Sequence, residues 1–231
     1  MIIIIVIVIQ TEKGMTLHSA LGGLGINSRV LSFLAPYMED LQLNFSEFPH
    51  RSYRRWQGEG EFAEQLTPPA GKVWLAGGGH PILISDLYLF DSPLEAACFA
   101  HCFNSCLARP DQVALAALGL CPQAASFRQL LTRYPNARIH TVFPRDIPGM
   151  IADCLVALWS NNLEGKFSFL ADRLVFRGTQ TNYEFYEHDF SLNKFEKWLR
   201  LHSGVRAHKP KGGFNSFFQL LKAHQSQAPG K

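Results

Sequence analysis

Two short acidic motifs carry the residue types that metal-assisted phosphoryl chemistry requires. In the first, Asp91-Ser92-Pro93-Leu94-Glu95-Ala96, one acid closes the apolar run Leu87-Tyr88-Leu89-Phe90 and a second follows one helical turn later. In the second, Phe143-Pro144-Arg145-Asp146-Ile147-Pro148-Gly149, an acid follows another apolar run over residues 138–143. Ligands of open α/β sheets bind outside the carboxyl ends of the strands. On neighbouring strands, Asp91 and Asp146 would face one crevice, where two carboxylates can share a Mg²⁺ ion that positions a phosphodiester or activates water. The same residues have structural readings. Ser92-Pro93-Leu94-Glu95 has the form of a capping box with proline at the first helical position, and Asp146 is placed to cap the helix containing Pro148. Asp91 has no such duty, because Ser92 already serves as the cap.

Two basic stretches suit a phosphate backbone. His50-Arg51-Ser52-Tyr53-Arg54-Arg55-Trp56 interleaves arginines with aromatics, the chemistry of phosphate contact plus base stacking, through Arg51, Arg54, Arg55 and Trp56. Arg206-Ala207-His208-Lys209-Pro210-Lys211 precedes two glycines and reads as a flexible cationic segment, with Arg206, Lys209 and Lys211 free to track phosphates. Cys98, His101, Cys102 and Cys106 recur along one helical face, where zinc would find soft ligands. The CxxC spacing of known zinc sites is absent, and free cysteine packs as a small apolar residue, so this face is expected to be core. Gly22-Gly23-Leu24-Gly25 lacks the spacing of a phosphate loop and reads as a tight turn before a helix cap, as does the region around Gly77-Gly78-Gly79.

The elements that must position these groups recur at intervals of about 25 residues. Apolar runs at 87–90, 113–118 and 138–143 are each followed by a helical stretch, at about 93–108, 123–134 and up to 160. Strands alternating with helices imply right-handed βα units on a parallel sheet. Before them lie a helix over 28–37, apolar runs at 72–76 and 81–89, and a β-branched opening at 1–10 that reads as a buried strand, or as sequence upstream of a start at Met15. After them, Phe167/Phe169, Leu174/Phe176 and Tyr183/Phe185 alternate with period two over 166–190, an antiparallel meander. Helices are expected over 192–202 and 214–224, with the last seven residues disordered.

Within this frame the acidic motifs resemble the Toprim domain of primases, topoisomerases and related nucleases. That family ends its first strand with a glutamate, often in E-G/S-P-x-D-A, and a later strand with Asp-x-Asp-x-x-Gly. Asp91 falls at the glutamate and Glu95 at the acid after it. Pro144 falls at the first aspartate of the second motif, Asp146 at the second and Gly149 at the glycine. The likeness covers residues 87–161 and extends to divergent Toprim-like proteins of bacterial mobile elements. It implies Asp91, Glu95 and Asp146 as catalytic positions, with Asp91 and Asp146 as the Mg²⁺ ligands. The chain departs from the pattern in three ways. Aspartate for glutamate shortens the reach by about 1.5 Å, Pro144 offers no ligand, and Arg145 brings a cation beside Asp146. The expectation is therefore weak Mg²⁺ binding at most, no resident cofactor and no metal catalysis by this chain.

Composition agrees with one sizeable folded unit and its appendages. The 231 residues are 47% apolar and 18% charged, which excludes long disorder. No stretch approaches the roughly 20 apolar residues that span a bilayer. Five cysteines, an odd number, and an opening without a basic region or cleavage site point to a reducing, cytoplasmic setting. Residues 191–231 hold eight basic side chains and one acid, a net +7, while the rest of the chain carries 14 basic and 18 acidic, a net −4. An acidic body with a basic end is the footprint of a polyanion partner. The sequence is thus read as an α/β protein with four parts: an N-terminal appendage (1–83), a Toprim-like parallel β/α core (84–161), a C-terminal antiparallel β meander (162–190) and a basic helical tail (191–231). Its expected role is binding DNA or RNA in a DNA-processing or mobile-element setting. The alternatives are a Mg²⁺-dependent nuclease or nucleotidyl transferase using Asp91 and Asp146, and a module that docks a protein partner.

Overall fold

The computed structural model of the chain describes residues 21–38, 73–77, 79–119, 121–170, 173–178 and 182–227. The opening run 1–10, both candidate starts, the stretch with Arg51, Arg54, Arg55 and Trp56, and the final residues 228–231 lie outside them. In chain order the strands are β1 (Trp74–Ala76), β2 (Asp86–Phe90), β3 (Val113–Ala117), β4 (Arg138–Thr141), β5 (Gly165–Leu170), β6 (Arg173–Gly178), β7 (Asn182–Tyr186) and β8 (Arg206–Ala207). The helices are α1 (Ser28–Leu34), α2 (Pro93–Cys102), α3 (Ala124–Arg133), α4 (Ile147–Ser160), α5 (Leu192–Leu199) and α6 (Phe217–Gln227).

Two sheets result. The first has the order β1-β3-β2-β4-β8, with β1 antiparallel and the other pairings parallel. The second is the meander β5-β6-β7, antiparallel throughout, as the period-two pattern requires. Alternation along the central strands divides the core in two. Leu87 and Leu89 of β2, with Ala114 and Ala116 of β3, face α3, α4, α5 and the meander. Tyr88 and Phe90, with Val113, Leu115 and Ala117, face α1, α2 and α6. Side chains on both faces are buried, which explains why these strands read as unbroken apolar runs. The chain passes from β2 to β3 on one face, then returns past β2 to β4 on the other. Strand order reverses between β2 and β4, and such a switch point opens a crevice at the carboxyl ends.

Three boundaries differ from the sequence reading, each for a physical reason. The run 81–89 opens as a 3-10 turn at Pro81–Leu83, since proline lacks the N–H a strand needs, and β2 begins only at Asp86. The helix expected to reach 108 ends at Cys102, where Phe103 leaves helical conformation and a 3-10 turn, Asn104–Leu107, follows. The largest difference is at the C-terminus. Residues 206–207 are a strand of the main sheet, beside β4, and α6 packs on α2, continuing to Gln227 through part of the stretch expected to be disordered. The basic segment is built into the fold. Among the described residues no helix is long and apolar enough to cross a membrane.

The carboxyl-end crevice as candidate functional site

Asp91 lies immediately beyond β2 and Asp146 five residues beyond β4, and these two strands pair in parallel. The topology therefore brings both acids to one crevice. Ser92 caps α2, its hydroxyl accepting from the Glu95 N–H at 3.2 Å, with Pro93 at the first helical position. Asp146 caps α4, its Oδ1 accepting from the Gly149 N–H at 2.9 Å. The glycine of this motif has a steric role, because a Cβ at Gly149 would stand 2.1 Å from the Pro144 carbonyl oxygen.

Asp91 is 2% exposed, and its Oδ1 has no hydrogen-bond partner among the described residues. Burial pushes its pKa up to about 6, with the Asp146 charge acting in the same direction and the Ser92 hydroxyl against it. Glu95 is also buried, and burial together with Asp91 pushes it up to about 8. Its carboxylate does not reach back to the Ser92 N–H as a capping box would. It accepts instead from the N–H groups of Phe217 and Phe218, at the start of α6. Glu95, expected as a catalytic acid, therefore also holds the start of a helix 122 residues away in the chain.

Lys209 completes the crevice. Its Nζ donates to the carbonyl oxygens of Phe143 and Pro144, each at 2.9 Å, and lies 2.6 Å from Oδ2 of Asp153, which is 1% exposed. Burial raises the Asp153 pKa, and the Lys209 ammonium opposes that rise. The segment is held further by the Arg145 N–H donating to the Asn215 carbonyl and the His208 N–H to the Thr141 carbonyl. Lys209, expected to contact phosphate, is turned inward because an unpaired Asp153 inside the core would be costly. The sequence did hold a signal for this pair. Asp153 is the lone acid in the otherwise apolar helix Ile147–Ser160, and a buried charge implies a partner. Arg206 and Lys211 remain exposed on either side of it.

A Mg²⁺ ion takes one or two carboxylates and keeps an octahedral shell of waters. The donors here do not suit it. Both Glu95 oxygens accept backbone N–H groups, Asp146 holds a helix cap, Asp91 is sealed from solvent, and an ammonium lies against the 143–144 turn. Among the described residues no three His, Cys, Asp or Glu side chains converge as a ligand set. On α2, Cys98 is in the core and the His101 Nδ1 accepts the Asn27 N–H at 3.0 Å, so this face is used for packing and capping. Gly25, at φ 64°, ends the tight turn before the α1 cap Asn27. Compared with known proteins, the chain matches no family model, no curated protein and no solved structure.

Proposed function

We propose that this chain is a degenerate Toprim-like protein that binds DNA or RNA in a DNA-processing or mobile-element setting, without metal catalysis of its own. The observation that carries the reading is Lys209. Its ammonium lies at the ends of β2 and β4, where the resemblance would place a divalent cation, and neutralises Asp153 there. The crevice is filled by the protein's own C-terminal segment. Arg206 and Lys211 flank that segment on the surface, and neither has a carboxylate partner among the described residues. They are among the cations available to a phosphate backbone, where contacts position the polymer without reading sequence. The exposed Leu170, Tyr186 and Trp198 of the meander and α5 favour a second reading, a protein-docking surface. That reading predicts no nucleic-acid binding.

Titrating Mg²⁺ into the full chain by calorimetry tests the leading reading against an active phosphodiester enzyme. The expected result is no saturable binding at micromolar Mg²⁺. Micromolar affinity that disappears in Asp146→Ala would overturn the proposal and make Asp91 and Asp146 a working metal site.

A further inference from the structure

A second constellation lies at the opposite end of the parallel strands. Asp86 opens β2, Arg138 opens β4 and Arg206 opens β8, and their side chains line a cavity of about 400 Å³ together with Tyr88, Phe103 and Arg109, among others. That volume lies within the range of small-molecule sites, roughly 300–1,000 Å³. Five residues of extended strand separate this end from the carboxyl-end crevice, roughly 16 Å.

Its polar groups are ordered by a hydrogen-bonded chain. The Asp86 carboxylate accepts from the Ser85 hydroxyl at 2.7 Å and pairs with Arg138 at 2.9 Å. It also lies 3.0 Å from Nε2 of His140, whose Nδ1 is 2.9 Å from Nε2 of His208. An ionised carboxylate only accepts, so the His140 Nε2 carries the proton, its Nδ1 accepts, and the His208 Nε2–H donates. Both imidazoles are then neutral. Burial lowers both from their ordinary values, against the pull of Asp86 on His140, and with His140 and Arg206 beside it His208 falls to about 4. The lining therefore carries Arg109, Arg138 and Arg206 against Asp86 alone, a net charge of +2. Arg109 and Arg206 have no carboxylate partner among the described residues.

We propose that this cavity binds a nucleoside phosphomonoester. A phosphomonoester carries about −1.5 to −2 at neutral pH, which matches the charge of the lining, whereas a backbone phosphodiester carries only −1. Guanidinium groups bind phosphate oxygens in pairs, and Arg206 and Arg109 have their forks unengaged. Phe103, its ring tilted against Phe99 and His208, is 43% exposed at the wall and offers aromatic surface against which a base packs. The ligand is either a free nucleotide or the phosphorylated end of a strand, which share this chemistry. The cavity shares Arg206 with the polymer contact proposed above, whereas Arg109, Arg138 and Phe103 belong to the cavity alone.

The test is calorimetry on the full chain with adenosine 5′-monophosphate, adenosine and inorganic phosphate. The monophosphate is expected to bind at least tenfold tighter than either of the others. Arg206→Ala should weaken it at least tenfold without lowering the melting temperature, and Phe103→Ala should weaken the monophosphate while leaving inorganic phosphate unchanged. Displacement of the monophosphate by a 5′-phosphorylated oligonucleotide better than by its 5′-hydroxyl counterpart would assign the site to strand ends, and no such preference would assign the free nucleotide. Equal binding of adenosine and its monophosphate would overturn the proposal. So would unchanged affinity in Arg206→Ala.

Discussion

Lys209→Met is expected to destabilise the protein by about 3–5 kcal/mol, the cost of leaving a buried charge without its partner. In a chain of this length that corresponds to a melting temperature lower by roughly 6–20 °C. Asp153 is 1% exposed and has one carboxylate oxygen, Oδ1, with no hydrogen-bond partner among the described residues. Its other oxygen faces the Lys209 Nζ at 2.6 Å, and the same ammonium satisfies the carbonyls of Phe143 and Pro144. Methionine keeps the length and apolar stem of the lysine and removes only the charge and the donors. Combining Lys209→Met with Asp153→Leu removes both charges and should recover much of the loss, because a buried ion pair replaced by apolar groups is often neutral in stability. A single variant that melts within two degrees of the parent would mean that Lys209 points to solvent.

The second large effect is a loss of thermal stability between pH 6.5 and 8. Glu95 has its pKa raised from 4.5 to about 8 in the folded chain, first by burial and then by Asp91. Between those values the folded state keeps a proton that the unfolded state has released, so the stabilisation is complete below 4.5 and lost as pH rises through 8. Asp91, raised from 3.8 to about 6, acts with the same sign over a lower range. His208, lowered from 6.5 to about 4, has the opposite sign, but its contribution is complete once pH exceeds 6.5. Above that point Glu95 dominates. A difference of one proton over about 1.5 pH units is worth about 2 kcal/mol, or roughly 4–8 °C in melting temperature. Glu95→Gln should flatten the curve in this window. A parent protein whose melting temperature holds or rises from pH 6.5 to 8 would contradict the burial assigned to Glu95.

Much of the architecture was legible because its causes are local. The runs at 87–90, 113–118 and 138–143 became β2, β3 and β4, and the alternation of Phe167, Leu174, Phe176 and Phe185 became the meander. Ser92 and Asp146 cap their helices as their spacing suggests. What the sequence concealed depends on distant partners. Glu95 has the local form of a capping-box acid, but α6 supplies two unsatisfied N–H groups that compete for it. Residues 206–211, with lysines, a proline and neighbouring glycines, have the composition of a solvated tail. Only the open edge of β4 and the unpaired Asp153 explain why they fold inward. The chain from Asp86 through His140 to His208 joins residues 54 and 68 positions apart, which no local pattern reveals.

The proposed binding of nucleic acid runs through surface cations and needs no metal. With Lys209 turned inward, Arg206, Lys211 and the half-buried Lys222 remain among the described residues beyond 205 to meet phosphates. The most direct test is the affinity of the full chain for a duplex probe in EDTA across a series of salt concentrations. Three phosphate contacts release counterions to give a slope of about −3 in log K against log[salt]. That slope, with binding evident at 50 mM salt, is the predicted result. No shift of any single- or double-stranded probe at 50 mM salt, or binding that appears only on adding Mg²⁺, would contradict the account.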